Sequence, residues 1–236
     1  MNHDARHSAA PEGGAPQPDE DEFWTQEFWD GRYREREALW SGAPNRVLVD
    51  EAGPLPPGRA LDVGAGEGGD AVWLAARGWQ VTAADVSAVG LERTAAQVRA
   101  AGDLPGSVTT WQVDLLATAP EPRSYDLVSA FFFHLPARHR DRVFAGLAEA
   151  VAPGGTLLIV GHPESHLRAH AEAAGEEVDA SRLDGLFTAD QVAAGLDPGS
   201  WEIGTAEERR RDAGPAASDL PGHDHADIVL RARRTA

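Results

Sequence analysis

The chain has 236 residues, a formal net charge of -17 at pH 7 and no cysteine. The length fits one α/β domain with short additional segments, and the lack of cysteine excludes disulfides, thiolate nucleophiles and cysteine-ligated metals. All basic side chains other than histidine are arginine, which excludes Schiff-base mechanisms and lysine-dependent ATPase loops. Because an acidic surface repels phosphate groups, we expect no binding to nucleic acid or to membranes.

The N-terminal part of the sequence changes character near residue 21. Residues 1–20 are rich in Ala, Pro, Gly, Asp and Glu without periodicity, and we expect a disordered acidic tail without a signal peptide. The sequence also lacks a membrane-spanning apolar run, so we expect a cytoplasmic location. Residues 21–58 predict a helical cover that precedes the main domain, residues 59–236. Aromatic side chains recur through this cover, at Phe23, Trp24, Phe28, Trp29, Tyr33 and Trp40.

Strands and helices alternate from residue 59 onward. This rhythm predicts a doubly wound parallel sheet with helices on both faces, as in Rossmann-like folds. The apolar patterns place the strands at Arg59–Val63, Gln80–Ala84, Val108–Val113, Tyr125–Phe132 and Thr156–Gly161. They place the helices at Asp70–Ala76, Ala88–Ala101 and around residues 143–151.

The C-terminal third departs from this alternation. It is polar after the fifth strand and contains a predicted helix at Thr188–Ala194. Two strand-like segments follow, Trp201–Glu207 and Ala226–Ala232, joined by a long loop rich in Gly, Pro and Asp. Such a pair predicts an antiparallel hairpin at one edge of a seven-stranded, mostly parallel sheet.

A glycine-rich turn follows the first strand, in the segment Asp62–Asp70. Ligands of open α/β sheets bind at the carboxyl ends of the strands, and glycine permits close approach to the backbone. The glycines at 64, 66, 68 and 69 fit both the dinucleotide pattern and a denser pattern. Asp62 favours a cationic ligand, because a carboxylate here would repel the pyrophosphate of a dinucleotide.

Acidic residues also end the next two strands. Asp85 is suited to accept hydrogen bonds from both ribose hydroxyls of a nucleoside. Asp114 is suited to accept from an adenine amino group, while Leu115 packs on the ring. Together with Asp62, these acids predict S-adenosylmethionine, which carries an ammonium and a sulfonium.

At these positions the sequence resembles the class I S-adenosylmethionine-dependent methyltransferases. Leu61–Gly68 matches the acidic glycine motif of that family, and Asp85 and Asp114 match its ribose and adenine acids. The Pro153-Gly154-Gly155 turn before the fifth strand and the late strand pair match as well. The resemblance implies a methyltransferase domain over residues 59–236, whose last-added strand is antiparallel.

The segment from Phe28 to Trp40 resembles the tellurite-resistance and thiopurine methyltransferase branch, in which it packs over the cofactor. The resemblance and the strand-end pattern together give a set of expected cofactor-binding residues. These are Trp29, Tyr33, Trp40, Asp62, Gly64, Ala65, Gly66, Gly68, Asp85, Val86, Asp114, Leu115 and Phe131. The substrate does not carry over, so the acceptor atom stays open among oxygen, nitrogen, sulfur and a metalloid.

His134 follows the fourth strand and is the candidate general base, since unperturbed histidine titrates near neutral pH. Capping of the loop is the alternative role. We expect no metal at the histidines of residues 162–170 or at His223 and His225, which fit solvated surfaces. We expect a small-molecule substrate and a monomer or homodimer. A non-catalytic S-adenosylmethionine sensor and an NAD-dependent oxidoreductase remain alternatives.

Overall fold

The structure is a computed structural model, which describes residues 24–174, 177–178, 183–210 and 226–235. The acidic tail at residues 1–20 and the pair His223 and His225 lie outside these residues. Seven strands form the centre of the fold. They are β1 (Arg59–Val63), β2 (Gln80–Asp85), β3 (Ser107–Gln112), β4 (Tyr125–Phe131), β5 (Val151–Gly161), β6 (Trp201–Arg210) and β7 (Ala226–Arg234).

The strands form one sheet in the order β3-β2-β1-β4-β5-β7-β6. Strands β1 to β5 are parallel to one another. Strand β7 lies between β5 and β6 and is antiparallel to both. This confirms the predicted Rossmann-like, seven-stranded sheet with an antiparallel hairpin at its edge. The carboxyl ends of the five parallel strands therefore meet at one edge of the sheet.

The helices pack around this sheet, and several begin or end at the predicted signals. They are α1 (Gln26–Arg34), α2 (Arg46–Ala52), α3 (Gly69–Ala76), α4 (Ala88–Ala101), α5 (Ala137–Ala150), α6 (Glu164–Ala174) and α7 (Ala189–Ala194). Thr188 caps α7 through a reciprocal bond pair with Gln191. Within the part of the chain that the structure describes, no helix is both long and apolar enough to cross a membrane.

The sheet is buried on both faces. Along β5, Leu157 and Ile159 belong to one apolar cluster, whereas Leu158 and Val160 belong to the other. Successive side chains of a strand point to opposite faces, so the alternation assigns one cluster to each face. All four residues are at most 1% exposed, and this packing fixes the strand ends that form the site.

Three local features differ from the predictions. Helices α2 and α6 are additional, because their short or polar sequences lack a clear apolar periodicity. The Pro153-Gly154-Gly155 segment lies within β5 and not before it. Here Tyr125 pairs with Val151 but Leu127 pairs with Thr156, so the extra residues form a bulge with Gly154 at φ +81°.

Helix α1 is anchored to the start of α4 by a buried carboxylate. Asp30 is 5% exposed and accepts hydrogen bonds from Ser87 Oγ at 2.6 Å and Val89 N at 3.1 Å. Burial alone raises the pKa of Asp30, but the bonds from Ser87 and Val89 outweigh it, so its pKa is lowered. The ionised carboxylate thus links the N-terminal cover to the sheet domain.

We expect Asp30→Ala to lower the free energy of unfolding by about 1–3 kcal/mol, because two buried donors lose their acceptor. Denaturant unfolding measures this change. Glu27→Ala is the matched control, since Glu27 is an exposed acid on the same helix and its loss costs less than about 0.5 kcal/mol. Equal effects of the two substitutions would contradict the anchoring role.

Candidate functional site

A cavity of about 540 Å³ lies at the carboxyl edge of the parallel strands. The glycine turn, the ends of β1, β2 and β4, and the cover segment form its walls. Every residue predicted to bind the cofactor lines this cavity, and so does His134. The structure therefore brings the predicted set together, while direct contact of each residue with a cofactor stays a prediction.

The glycine turn adopts a backbone that disfavours side chains. Gly64, Gly66 and Gly68 have φ values of +68°, +54° and +87°. A Cβ atom on Gly66 would lie 2.7 Å from the hydroxyl of Tyr33, and one on Gly68 would lie 2.8 Å from the side chain of Thr94. Gly66 and Gly68 thus need glycine for both conformation and space, whereas Gly64 needs it for conformation.

Asp62 carries a buried carboxylate at the end of β1. The residue is 2% exposed, and Ser129 Oγ lies 3.4 Å from its Oδ1. Among the residues that the structure describes, Oδ2 has no hydrogen-bond partner. Burial, together with the nearby charges of Asp70 and Asp85, raises the pKa of Asp62. The position is suited to a cation or a hydrogen-bond donor.

Two further carboxylates extend this acidic wall. Asp85 Oδ2 accepts from Gly66 N at 2.9 Å and its Oδ1 accepts from Ser87 N at 2.8 Å. Asp70 Oδ1 accepts from Asn45 N at 2.6 Å. Burial raises the pKa of Asp85 and raises that of Asp70 to about 6. A bound cation would favour the ionised form of these groups.

Glu67, in the middle of the glycine turn, fastens the cover over the cavity. Its carboxylate accepts from Leu39 N at 3.1 Å and Trp40 N at 2.9 Å, and it pairs with Arg93 of α4. Arg93 also donates to the carbonyl oxygen of Tyr33. These bonds outweigh the effect of burial and lower the pKa of Glu67. The turn and the cover therefore form one hydrogen-bonded unit.

Aromatic side chains of the cover close the cavity from above. Tyr33 is buried and its hydroxyl accepts from Trp40 Nε1 at 3.3 Å. Burial and the charges of Asp85 and Glu67 raise the pKa of Tyr33 to about 12, so the phenol stays neutral. Trp40 is 56% exposed, which places it at the mouth of the cavity.

His134 differs from the sequence prediction in its ionisation. Burial and the neighbouring His166 lower its pKa to about 4, so its imidazole is neutral at pH 7. The backbone N–H of His162 donates to His134 Nε2 at 3.0 Å, which occupies the lone pair that a base would use. The predicted near-neutral pKa is therefore wrong, because the sequence does not reveal burial. The side chain of His134 is thus bonded to the backbone after β5, and its role as a general base stays a prediction.

Several cavity residues were missing from the predicted set. They include Trp24, Asn45, Glu67, Asp70, Phe132 and His162. Phe132 has φ +53°, which is unusual without a glycine, and its ring stacks on that of His162 at 4.3 Å. Asp70 and Glu67 could have been noticed as acids next to the glycines, whereas the stack depends on tertiary packing.

Among the described residues, no cluster of three or more His, Cys, Asp or Glu side chains could hold a metal ion. Asp114 is exposed after β3, and its Oδ1 accepts from Leu116 N at 2.8 Å. This bond fixes the carboxylate at the rim of the cavity.

Comparison with known proteins identifies the domain. Residues 60–155 match the family model described as a methyltransferase domain. The matched segment runs from β1 into β5 and includes Asp62, Asp85 and Asp114. Residues 60–155 of the chain are therefore similar to known methyltransferase domains. The cofactor of this domain is S-adenosylmethionine, and other structures of this fold are described as S-adenosylmethionine-dependent methyltransferases or contain bound SAH.

One curated relative is the ribosomal RNA small subunit methyltransferase C of Alcanivorax borkumensis, which is 34% identical over 118 residues. The alignment covers 46% of this chain and 33% of that protein, so the chain spans about a third of its relative. The similarity is thus confined to part of each chain, and the remainder of the relative has no counterpart in the alignment.

Solved structures share the architecture of the methyltransferase domain. A structure from work on the conversion of a disulfide bond into a thioacetal group during echinomycin biosynthesis has a TM-score of 0.67 and 25% identity, covering 89% of this chain and 91% of that one. TehB from Haemophilus influenzae has a TM-score of 0.54 and 18% identity, covering 88% and 66%. At 18% identity, the likeness to TehB supports the fold and leaves the branch a proposal.

We expect the affinity for S-adenosylmethionine to fall as the pH decreases from 7 to 5. Protonation of Asp70, whose pKa is about 6, removes a negative charge that favours the cationic ligand. Calorimetric titrations across this range measure the affinity, and those at pH 6 in buffers of different ionisation enthalpy detect proton release on binding. Asp70→Asn should flatten the pH dependence. An affinity of the unaltered chain that is constant with pH would refute the linkage.

We expect Asp85→Ala to raise the dissociation constant for S-adenosylmethionine by about 10- to 100-fold, since it removes charged hydrogen bonds of about 1.5–3 kcal/mol. Asp85 also accepts from Gly66 N, so its loss additionally loosens the glycine turn. Isothermal titration measures the affinity, and circular dichroism checks the fold. Asp103→Ala, at an exposed acid after α4, is the control and should bind normally.

Proposed function

We propose that this chain transfers the methyl group of S-adenosylmethionine to a small-molecule acceptor. The observation that carries the proposal is the buried Oδ2 of Asp62, which lacks a partner among the described residues beside a turn that only glycine can form. The residues fit the cofactor, because a cationic ligand supplies the partner that this carboxylate oxygen lacks among the described residues.

The proposed roles of the cavity residues follow the three strand ends. Asp62 would face the ammonium group, Asp85 the ribose hydroxyls and Asp114 the adenine amino group. When bound, the cofactor supplies an activated methyl group on a sulfonium. The protein then has to orient the acceptor in line with that methyl and to exclude water. The cover, which Glu67 and Arg93 hold in place, is suited to exclude water.

A small acceptor fits the cavity better than a macromolecule does. The aromatic cover closes over the strand ends, and the net charge of -17 opposes approach of an RNA backbone. The curated relative acts on ribosomal RNA by its name, so RNA is the alternative acceptor that the test must include. The places of Trp29, Tyr33 and Trp40 on the cavity wall support the tellurite-resistance and thiopurine branch as the source of the cover, and the acceptor does not carry over from that branch.

A second candidate function is binding of S-adenosylmethionine without turnover. His134 supports this second function, because its imidazole is neutral and its Nε2 already accepts a hydrogen bond from His162 N. The predicted base therefore has no free lone pair at Nε2. An NAD-dependent reaction is disfavoured, since the buried Asp62 would meet a pyrophosphate. Calorimetry with NAD and with S-adenosylmethionine separates these cofactors.

Transfer is tested with S-adenosylmethionine that carries an isotopically labelled methyl group. We expect the label in small molecules of a bacterial extract after incubation with the protein, as detected by mass spectrometry. Purified ribosomal subunits form a parallel arm. Label in RNA alone would refute the small-molecule acceptor, and tight cofactor binding without label in either arm would favour the sensor. The Asp85→Ala variant controls for background transfer.

A further inference from the structure

We infer that the acceptor is an uncharged amine or nitrogen heterocycle on a flat apolar group, and not an oxyanion. This inference rests on the proposed function and narrows its acceptor from four types to one. It follows from the charges and the aromatic surfaces of the cavity, taken after the strand-end acids have been assigned to the cofactor.

The charge of the cavity is one-sided. None of the described residues that line it is arginine, and the sequence has no lysine. Glu67 is neutralised by Arg93, but Asp70 is left without a cationic partner in the ion pairs among described residues. An anionic acceptor would thus enter beside carboxylates without a compensating positive group, and this opposes its binding.

The histidines of the cavity do not reverse this charge. His134 is neutral at pH 7 and its Nε2 accepts the backbone N–H of His162. A hydroxyl or thiol acceptor has to lose a proton to become a good nucleophile, and negative surroundings oppose formation of that anion. A neutral amine needs no such ionisation, because its nitrogen already presents a lone pair.

Aromatic side chains also line the cavity. Phe131 ends β4, Phe132 and Phe133 follow it, and Trp29 and Trp40 belong to the cover. Aromatic faces pack on flat apolar groups and also stabilise a cation that lies above them. This combination suits a substrate whose nitrogen becomes positively charged during the reaction.

The transfer step conserves charge in such a site. The nitrogen lone pair forms the new carbon–nitrogen bond, while the carbon–sulfur bond breaks and its electron pair stays on sulfur. The positive charge moves from sulfur to nitrogen, and a proton on that nitrogen then leaves to water. The carboxylates and aromatic rings therefore face a cation before and during the step, and until that proton leaves. With an oxyanion, the charge would instead be annihilated beside surplus carboxylates.

Binding of matched probes to the protein saturated with S-adenosylhomocysteine tests the charge preference without turnover. The probes are benzyltrimethylammonium, benzyl alcohol and benzoate, and ligand-observed NMR measures the affinity of each. We expect the cation to bind at least tenfold more tightly than benzoate. Asp70→Asn should reduce that ratio at least threefold, while Asp103→Asn should leave it unchanged. Equal affinities, tighter binding of benzoate or no measurable binding of the cation would overturn the inference.

Transfer from methyl-labelled S-adenosylmethionine gives the second readout. Aniline, phenol, thiophenol, benzoate and selenite are offered singly, with the bacterial extract as the source of unknown acceptors. Label on nitrogen supports the inference. Label on oxygen, sulfur or selenium overturns it and leaves methyl transfer intact, whereas a cation preference without label in any sample overturns the proposed function instead.

Discussion

The buried carboxylate of Asp62 is the constraint on which the site depends. It stands at the end of β1, 2% exposed, with one oxygen that has no partner among the described residues. Burial of an uncompensated charge is unfavourable, and the raised pKa of Asp62 expresses this. Under the proposed function a cationic cofactor would relieve this cost, so the burial that disfavours the charge of Asp62 would also provide affinity for the ligand.

Four other acids near this carboxylate fall into two pairs, one that connects parts of the structure and one that faces the cavity. Asp30 and Glu67 are held ionised by hydrogen bonds, and they join the cover to α4 and to the glycine turn. Asp70 and Asp85 have raised pKa values and face the cavity. The difference is one of hydrogen bonding, since the first pair receives enough donors to offset burial and the second does not. Acidic side chains of this chain therefore have lowered pKa values where they connect segments and raised pKa values where they face the cavity.

Much of the fold was accessible from the sequence because its signals are local. Helix α4 has the predicted bounds Ala88–Ala101, set by its apolar spacing and by Gly102 at its end. Strands β1, β4 and β5 contain apolar runs, and an acid or a glycine stands at or directly after the end of β1, β2 and β5. The bulge at Gly154 and helix α6 could not be predicted from the sequence. The bulge depends on how β5 pairs with β4, and α6 has a polar sequence without a clear apolar periodicity. For the site, the glycine turn and Asp85 were visible as a motif, whereas Asn45 was not.

The sequence by itself determined the α/β class, the glycine turn and the acids at the strand ends, since each depends on residue type and short-range spacing. Only the tertiary structure decided how these groups ionise. It buried His134 and engaged its Nε2, it left Asp62 Oδ2 without a partner among the described residues, and it stacked Phe132 on His162. Burial and hydrogen bonding set the charge of a side chain, and both arise from contacts between segments far apart in the chain.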